Sequence, residues 1–220
     1  MSEFTTEKLS KEFFLSGYID YCNRVGTPPS SAYRLCKYLF VSEKEFNLFF
    51  DSLNSLQQQV WKGFLSGTLK KLEQSKEFEN YCGRERLLAF YFTLFEDVKS
   101  DHNFIKVSFE KFKWRLFSGQ QEKILKDELL PFIKIIIDLA KETQEISSRP
   151  VLENYYENIF VMHFFFLLHF WSNDASENFE LTDAAIEKST NLLFDLLQRN
   201  AGDAAADFGK FILNNGFKIL

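Results

Sequence analysis

Four side chains in one apolar stretch of the sequence are candidates for metal or acid–base chemistry: Glu153, Glu157, His163 and His169. The two glutamates lie one helical turn apart, but neither belongs to a Glu-x-x-His motif, so a di-iron carboxylate site is not supported. The two histidines are six residues apart and point to different faces of a helix, unlike the His-x-x-x-His pair of a zinc site. The sequence therefore predicts no metal and no cofactor.

His163 has two interpretations. It is either a core histidine with hydrogen-bonded nitrogens or a residue that lines a pocket and orients the polar head of a ligand. The sequence contains no Gly-x-Ser-x-Gly motif, no P-loop and no glycine-rich phosphate cradle, and these are the common signatures of nucleophilic and phosphate chemistry. We expect a protein that is not an enzyme.

A second group of polar residues, near the N-terminus, is suited to DNA. Arg34, Lys37 and Lys44 are cations that can contact phosphate, and Asn47 can pair with the edge of an adenine. The charge around them is not favourable, because residues 1–60 contain six basic and seven acidic side chains, a net charge of −1. The helix predicted to carry Lys44 also carries Glu43 and Glu45, and both should repel phosphate.

Two short helices must position these side chains. The first is expected to begin at Ser30 as its N-cap and to direct Leu35, Leu39 and Phe40 inward. Val41 then makes a turn, and Ser42 with Glu45 forms a capping box that starts the second helix. Two short helices joined by a tight turn are typical of a helix-turn-helix, in which the second helix enters the major groove.

The rest of the chain shows helical periodicity without strand-like alternation, which predicts an all-α fold. A first helix, ending near Gly26, precedes the two short ones, and a long helix follows them. The predicted spans are Thr6–Arg24, Asp51 or Ser52 to Glu73, Arg84–Lys99, Phe109–Phe117, Gln120–Gln144 with a kink at Pro131, Arg149–Trp171, Thr182–Arg199 and a short Ala-rich helix at the C-terminus.

The 27 phenylalanines raise the aromatic content to 17%. Such a composition fits a large aromatic core or a pocket for an apolar ligand, and an aromatic stripe at helical spacing favours the core. The candidates for a ligand-binding site are His163 and five aromatic residues of the middle helices: Phe92, Phe95, Trp114, Phe132 and Phe165.

Charge and cysteine content restrict the partners and the compartment. The net charge of −5 gives no general attraction to nucleic acid or to anionic lipid. Cys22, Cys36 and Cys82 have no metal or redox spacing and are expected to be reduced, as in a cytoplasmic protein. The most apolar run, Ile159–Trp171, is about half the length that spans a bilayer, so no membrane span is expected.

The segment V-S-E-K-E-F-N-L-F-F at 41–50 resembles the V-S-K-G-T-L-Y-x-H-F turn and recognition helix of the tetracycline-repressor (TetR) family. The match has no gap and includes Val41, Ser42, an apolar Phe46 and the closing Phe50. The resemblance implies a helix-turn-helix domain over 1–51 and a helical ligand-binding and dimerisation domain over 52–220. Candidate DNA contacts are then Ser31, Arg34, Lys37, Lys44 and Asn47.

The same resemblance implies a homodimer that binds operator DNA and a small lipophilic ligand. The last two long helices resemble the pair that forms the family's dimer interface, and the candidate interface residues are Phe160, Phe164, Phe170, Leu193, Phe194 and Leu197. Glu43, Lys44, Glu45, Asn47 and Phe49 depart from the family's basic residue, Gly, Thr, Tyr and His.

Two functions stay open on this basis. One is a transcriptional regulator that responds to a lipophilic ligand. The other is a protein of the same fold that binds a lipophilic ligand and has lost DNA binding. The family that assists ubiquinone biosynthesis is a precedent, since it shares the repressor fold and handles an isoprenoid lipid. The acidic recognition helix and the phenylalanine content favour the second function, and the intact turn favours the first.

Overall fold

The computed structural model describes residues 9–109, 120–149 and 153–198 of the 220-residue chain. These ranges contain nine α-helices and three short 3₁₀ turns but no strand, which confirms the all-α prediction. The helices are α1 (Lys11–Val25), α2 (Ala32–Leu39), α3 (Glu43–Phe46), α4 (Leu53–Glu73), α5 (Gly83–Asp97), α6 (His102–Phe109), α7 (Gln120–Glu142), α8 (Glu153–Asn173) and α9 (Glu180–Leu197).

Local capping signals set the limits of α1. The Ser10 hydroxyl accepts a hydrogen bond from the Phe13 N–H at 3.2 Å, so the helix begins later than the predicted Thr6. Gly26 ends the helix as predicted, in a left-handed conformation with φ +73°. The Gly26 N–H donates to the Cys22 carbonyl at 3.0 Å, which satisfies one of the last carbonyls of the helix.

Helices α1, α2 and α3 pack around a small aromatic core. Phe14 of α1 is fully buried and meets the ring of Phe46 from α3 edge to face, with centroids 5.5 Å apart. A Cβ atom at Gly17 would lie 2.6 Å from a terminal carbon of Leu39, so glycine permits the close approach of α1 and α2. The tight α1–α2 contact fixes the position of the helix-turn-helix turn.

The turn between α2 and α3 corrects one prediction. Phe40, expected to point inward, is the C-cap of α2 with φ +57°, and its side chain is 86% exposed. The Val41 N–H donates to the Cys36 carbonyl at 3.0 Å. A left-handed residue is needed here to reverse the chain, and a phenylalanine in that conformation is strained because its Cβ approaches the following carbonyl.

The junction between the N-terminal helices and the remainder centres on one ring. Phe104 of α6 is fully buried, and its centroid lies 5.8 Å from Tyr18 of α1 and 5.6 Å from Trp61 of α4. The Gln57 amide of α4 donates to the Tyr18 hydroxyl at 2.7 Å. The predicted boundary at 51–52 falls at Ser52, the N-cap of α4, and the units on its two sides share one continuous core.

Helices α5, α7, α8 and α9 complete the larger unit, with α4 against α5 and α7. Two carboxylates, the half-buried Glu145 and the buried Asp174, accept hydrogen bonds from the starts of two of its helices. Glu145 accepts the N–H of Gly83 at 2.8 Å at the start of α5. Asp174 accepts the N–H of Thr182 at 2.9 Å and its hydroxyl at 2.6 Å in the first turn of α9. Thr182 is therefore a buried partner of Asp174, and the predicted helix start at Thr182 is wrong because the helix begins at Glu180.

The start of α6 differs most from the sequence prediction. Helix α6 begins at His102, seven residues before the predicted start, because the 3₁₀ turn Lys99–Asp101 leads directly into it. Pro131 lies inside α7 as predicted. The predicted residues 110–117 and the Ala-rich helix at the C-terminus lie outside the described residues.

Phe40→Gly is expected to raise the free energy of unfolding by about 1 kcal/mol, because glycine adopts the left-handed conformation without the Cβ penalty. The exposed ring has few contacts to lose. Urea unfolding followed by circular dichroism measures the change. Phe40→Ala is the matched control, since it removes the ring but keeps the Cβ, and an equal gain in both variants would contradict the strain at this position.

Candidate functional site

Helix α2 presents cations on its exposed side. Its N-cap is Ser31, not Ser30, and the Ser31 hydroxyl accepts the N–H of Arg34 at 3.3 Å. Ser31 thus has a local structural role in addition to the predicted contact with DNA. The Arg34 and Lys37 side chains are exposed, while Leu35 is fully buried.

Helix α3 begins with the predicted capping box, which is confirmed. The Ser42 hydroxyl accepts the Glu45 N–H at 3.3 Å, and the Glu45 carboxylate accepts the Ser42 N–H at 2.7 Å and the Ser42 hydroxyl at 2.8 Å. These bonds lower the pKa of Glu45. Glu45 is therefore folded back on the start of its own helix, where a negative charge is favourable. The sequence predicted this cap, but it also counted Glu45 among the charges that should repel phosphate.

The exposed side of α3 carries the other two candidates. Lys44 and Asn47 are both exposed, whereas Phe46 and Phe50 are buried beneath them. A groove of about 460 Å³ lies beside this helix and is lined by residues of α2, of the turn and of the first position of α3: Tyr33, Cys36, Lys37, Val41, Ser42 and Glu43. Lys37 and Glu43 both line that groove. Glu43, the glutamate of α3 that does not take part in the capping box, therefore has a cation in the same groove.

The sequence analysis did not predict that three apolar side chains of this surface are exposed. Tyr33, Phe40 and Leu48 are 61%, 86% and 77% exposed, more than any other large apolar residue that the structure describes. The sequence signal for their exposure is their spacing, because each lies three or four residues from an exposed polar residue and so shares its side of the helical turn. The surface is therefore both polar and apolar.

The aromatic residues predicted to line a ligand site occupy different environments. Phe95 is buried and stacks on Trp171 of α8 with centroids 5.2 Å apart, and Phe132 is buried against Phe90 at 4.6 Å. Phe165 is also buried, whereas Phe92 is 41% exposed. Trp114 lies outside the described residues. Their role in ligand binding stays a prediction.

His163 joins three helices through its two ring nitrogens. Nδ1 lies 3.0 Å from the Tyr91 hydroxyl of α5, and Nε2 lies 2.8 Å from Ser189 Oγ of α9. Either neutral tautomer satisfies both bonds, because each hydroxyl can donate or accept. Burial lowers the pKa of His163 to about 4 and raises that of Tyr91, so both are neutral at physiological pH. The sequence did not identify Tyr91 or Ser189 as its partners.

The sequence matches a family model described as the tetracyclin repressor-like C-terminal domain over residues 86–212, more than half of the chain. The chain belongs to the TetR family. This match begins within α5 and extends past α9. The three N-terminal helices, which lie outside the match, are consistent with a helix-turn-helix domain. TetR-family regulators are not enzymes. No curated protein matches the sequence.

The TetR-family assignment makes the position of the predicted dimer residues informative. Phe160, Phe164 and Phe194 are almost fully buried within the single chain, and the rings of Phe160 and Phe194 meet at 5.7 Å. Leu193 and Leu197 are also buried, and Phe170 is half-buried. Phe160 and Phe194 pack α8 against α9 within one chain, so the side chains that these two helices leave exposed are better placed to meet a second copy. The interface and its residues stay a prediction.

The outer sides of α8 and α9 carry other apolar residues, which we call the α8–α9 apolar face. They repeat at helical spacing on each helix. The His163–Ser189 hydrogen bond joins the two helices beside this face. The face consists of Tyr155, Ile159, Met162 and Phe166 on α8 and Leu181, Leu192 and Leu196 on α9, of which Tyr155 and the three leucines are each more than half exposed.

Among the described residues of this TetR-family chain, no group of His, Cys, Asp and Glu is arranged to hold a metal ion. His169 and His163 lie on the same helix, but His163 is fully used by Tyr91 and Ser189. Within the same ranges, no helix is long and apolar enough to cross a membrane.

Lowering the pH is expected to destabilise the protein through His163. The folded pKa of about 4 lies below the unfolded value near 6.5, so the unfolded state binds more protons between these values. The contribution to stability is complete above pH 6.5 and is lost as the pH falls towards 4, an effect of about 3 kcal/mol.

Urea titrations at pH 7 and pH 4.5 measure this effect, and His163→Gln should show a smaller loss of unfolding free energy than the natural chain. His169→Gln is the matched control, because that histidine lies on the same helix without the Tyr91 and Ser189 contacts. Equal pH dependence in the natural chain and in His163→Gln would contradict the assignment.

Proposed function

We propose that this protein is a homodimeric, DNA-binding transcriptional regulator that responds to a small lipophilic ligand. The observation that carries the proposal is a correctly capped α3 with Lys44 and Asn47 on its exposed side, in a chain of the TetR family. The C-terminal domain of such regulators typically mediates dimerisation and ligand binding. Arg34 and Lys37 add two exposed cations from α2. A cytoplasmic location is part of the same proposal.

The junction at Phe104 supports a link between ligand binding and DNA binding. Helix α6 touches α1 through Phe104 and through the Asn103 amide, which donates to the Asn23 carbonyl at 3.0 Å. Helix α4 touches α1 through Gln57 and Tyr18. A ligand that favours a different position of α4 or α6 would therefore change the orientation of the helix-turn-helix.

The aromatic interior supports a lipophilic ligand. Helices α5, α7 and α8 contribute adjoining rings, including Phe90, Tyr91, Phe95, Phe132 and Trp171. A ligand that displaces or separates such rings must itself be apolar to replace their contacts. The Tyr91 hydroxyl keeps a free acceptor lone pair beside its hydrogen bond to His163, and it can accept a hydrogen bond from the head group of an otherwise apolar molecule.

The α8–α9 apolar face is the proposed dimer interface. Contiguous exposed apolar side chains on two neighbouring helices are uncommon on a monomer and typical of a surface covered by a partner. A two-fold axis beside this face would pack α8 and α9 of one protomer against the same helices of the other. The two helix-turn-helix units would then be available to neighbouring half-sites of one DNA duplex.

Leu192→Glu is expected to weaken dimerisation at least tenfold, because it places a charge in an apolar interface. Light scattering over a concentration series measures the dissociation constant. Ile135→Glu is the matched control, since Ile135 is similarly exposed but lies on α7, and it should leave the dimer intact. A natural chain that is monomeric at micromolar concentration would contradict the proposed interface.

DNA binding is tested by fluorescence-anisotropy titration with the duplex upstream of the protein's own gene, at low and at moderate salt. With Arg34, Lys37 and Lys44 as the phosphate contacts of each protomer, six charges per dimer predict a log–log salt slope of about −5. The Lys44→Ala/Asn47→Ala double variant should abolish sequence-dependent binding. Lys70→Ala removes an exposed cation at the end of α4 and serves as the control for charge. Unchanged binding by the double variant would contradict the assignment.

The second candidate function is a lipophilic-ligand-binding protein of this fold without DNA binding. The near-neutral charge of residues 1–60 favours it. In that case the titration shows no binding even at low salt, and native mass spectrometry of the purified protein should detect an apolar molecule bound to it. The two functions therefore give opposite results in the same titration.

A further inference from the structure

We infer that the helix-turn-helix recognises A·T base pairs, with Leu48 against the 5-methyl group of thymine and Asn47 on the edge of adenine. The inference rests on the proposed DNA-binding function and specifies which base pairs that surface takes. Asn47 was already a candidate for the edge of an adenine, whereas Leu48 occupies a variable position of the family's pattern and was not among the candidate DNA contacts.

The backbone after α3 places the two side chains on the outer surface. The Asn47 N–H donates to the Glu43 carbonyl at 2.9 Å, and the Leu48 N–H donates to the Glu45 carbonyl at 3.3 Å, so the helical turn continues through both residues. Phe46 and Phe50 lie on the buried side of this turn. Leu48 therefore stands one turn after Lys44, beside Asn47, on the exposed side.

Exposure of Leu48 is the observation that points to an apolar partner. The side chain is 77% exposed in the turn that follows α3, the helix that the helix-turn-helix arrangement directs at the major groove. The apolar group that base pairs present in that groove is the thymine methyl, and aliphatic side chains contact it directly. A leucine at this place gains stabilisation from thymine that a cytosine in its place would not supply.

Asn47 completes the recognition of the same kind of pair. Its amide can donate to adenine N7 and accept from the adenine N6 amino group, and it is exposed beside Leu48. An A·T pair presents both the adenine edge and the thymine methyl in the major groove. The pair Asn47–Leu48 therefore matches one base pair, or two adjacent ones, in both hydrogen bonding and apolar contact.

The charges of the helix favour the same choice. Guanine is usually read by arginine or lysine, and residues 43–49 contain one lysine and no arginine. Glu45, which would otherwise face the DNA as an acid, is bound to Ser42 at 2.7 and 2.8 Å. Glu43 shares its groove with Lys37. The helix therefore has few side chains that recognise guanine. Its two carboxylates are both near other groups and do not face the phosphates as two free negative charges.

The test uses the duplex upstream of the gene. One thymine position at a time is replaced by deoxyuridine, and each replacement is made at the equivalent position of both half-sites. This replacement removes only the 5-methyl group. For the natural dimer, loss of the contacted methyl in both half-sites should weaken binding about fifteenfold, about fourfold for each half-site. Leu48→Ala should bind the thymine and deoxyuridine duplexes equally. Ile135→Ala, which removes an exposed apolar side chain of α7, should retain the full deoxyuridine effect.

A parallel replacement tests Asn47. Substitution of 7-deaza-adenine removes the N7 acceptor and should weaken binding by the natural dimer but not by Asn47→Ala. Because Leu48 and Asn47 are exposed, both variants are expected to fold, and circular dichroism checks this.

The outcomes separate the inference from the function on which it rests. Absence of binding to the unmodified duplex overturns both. Tight binding that deoxyuridine does not affect overturns the inference alone, as does an equal deoxyuridine effect in the natural chain and in Leu48→Ala. Unchanged affinity of Leu48→Ala for the unmodified duplex would also overturn the thymine contact.

Discussion

The packing of the Phe104 ring between α1 and α4 is the contact on which the arrangement of the whole molecule depends. The ring is fully buried, meets Tyr18 on one side and Trp61 and Phe64 on the other, and belongs to a helix that also packs on α8. Close-packed aromatic contacts of this kind do not deform smoothly. The N-terminal helices are thus held by the same core that the C-terminal helices build.

Carboxylates placed at helix starts form a second theme of the structure. Glu45 caps α3, Glu145 accepts from the first residues of α5, and Asp174 accepts from the first turn of α9. Each carboxylate satisfies N–H groups that have no partner within the helix and complements the positive end of the helix dipole. Part of the protein's negative charge is therefore structural, and net charge alone overstates how strongly its surface repels an anion.

Several features that depend on neighbouring residues were predictable from the sequence, whereas the N-caps of α1 and α2 and the left-handed conformation of Phe40 were not. The Ser42–Glu45 capping box and the Gly26 stop use residues within four positions of each other, and the helical periodicity gave the fold class. Long-range features were not predictable. Helix α8 is apolar on nearly all sides, so its pattern does not tell which face is buried, and the inward position of Phe160 and Phe164 follows only from the packing of α9. The partners of His163 are 26 and 72 residues away in sequence and carry no local signal.

The small number of cations on the helix-turn-helix also has a consequence for how such a protein would find its target in a cell. Binding to arbitrary genomic sequence is almost wholly a matter of phosphate neutralisation, and here few side chains contribute to it. A regulator with this surface would spend little time sliding along unrelated chromosome and would remain largely free in solution. Its search would proceed by repeated three-dimensional encounters, and occupancy of its operator would follow its free concentration closely.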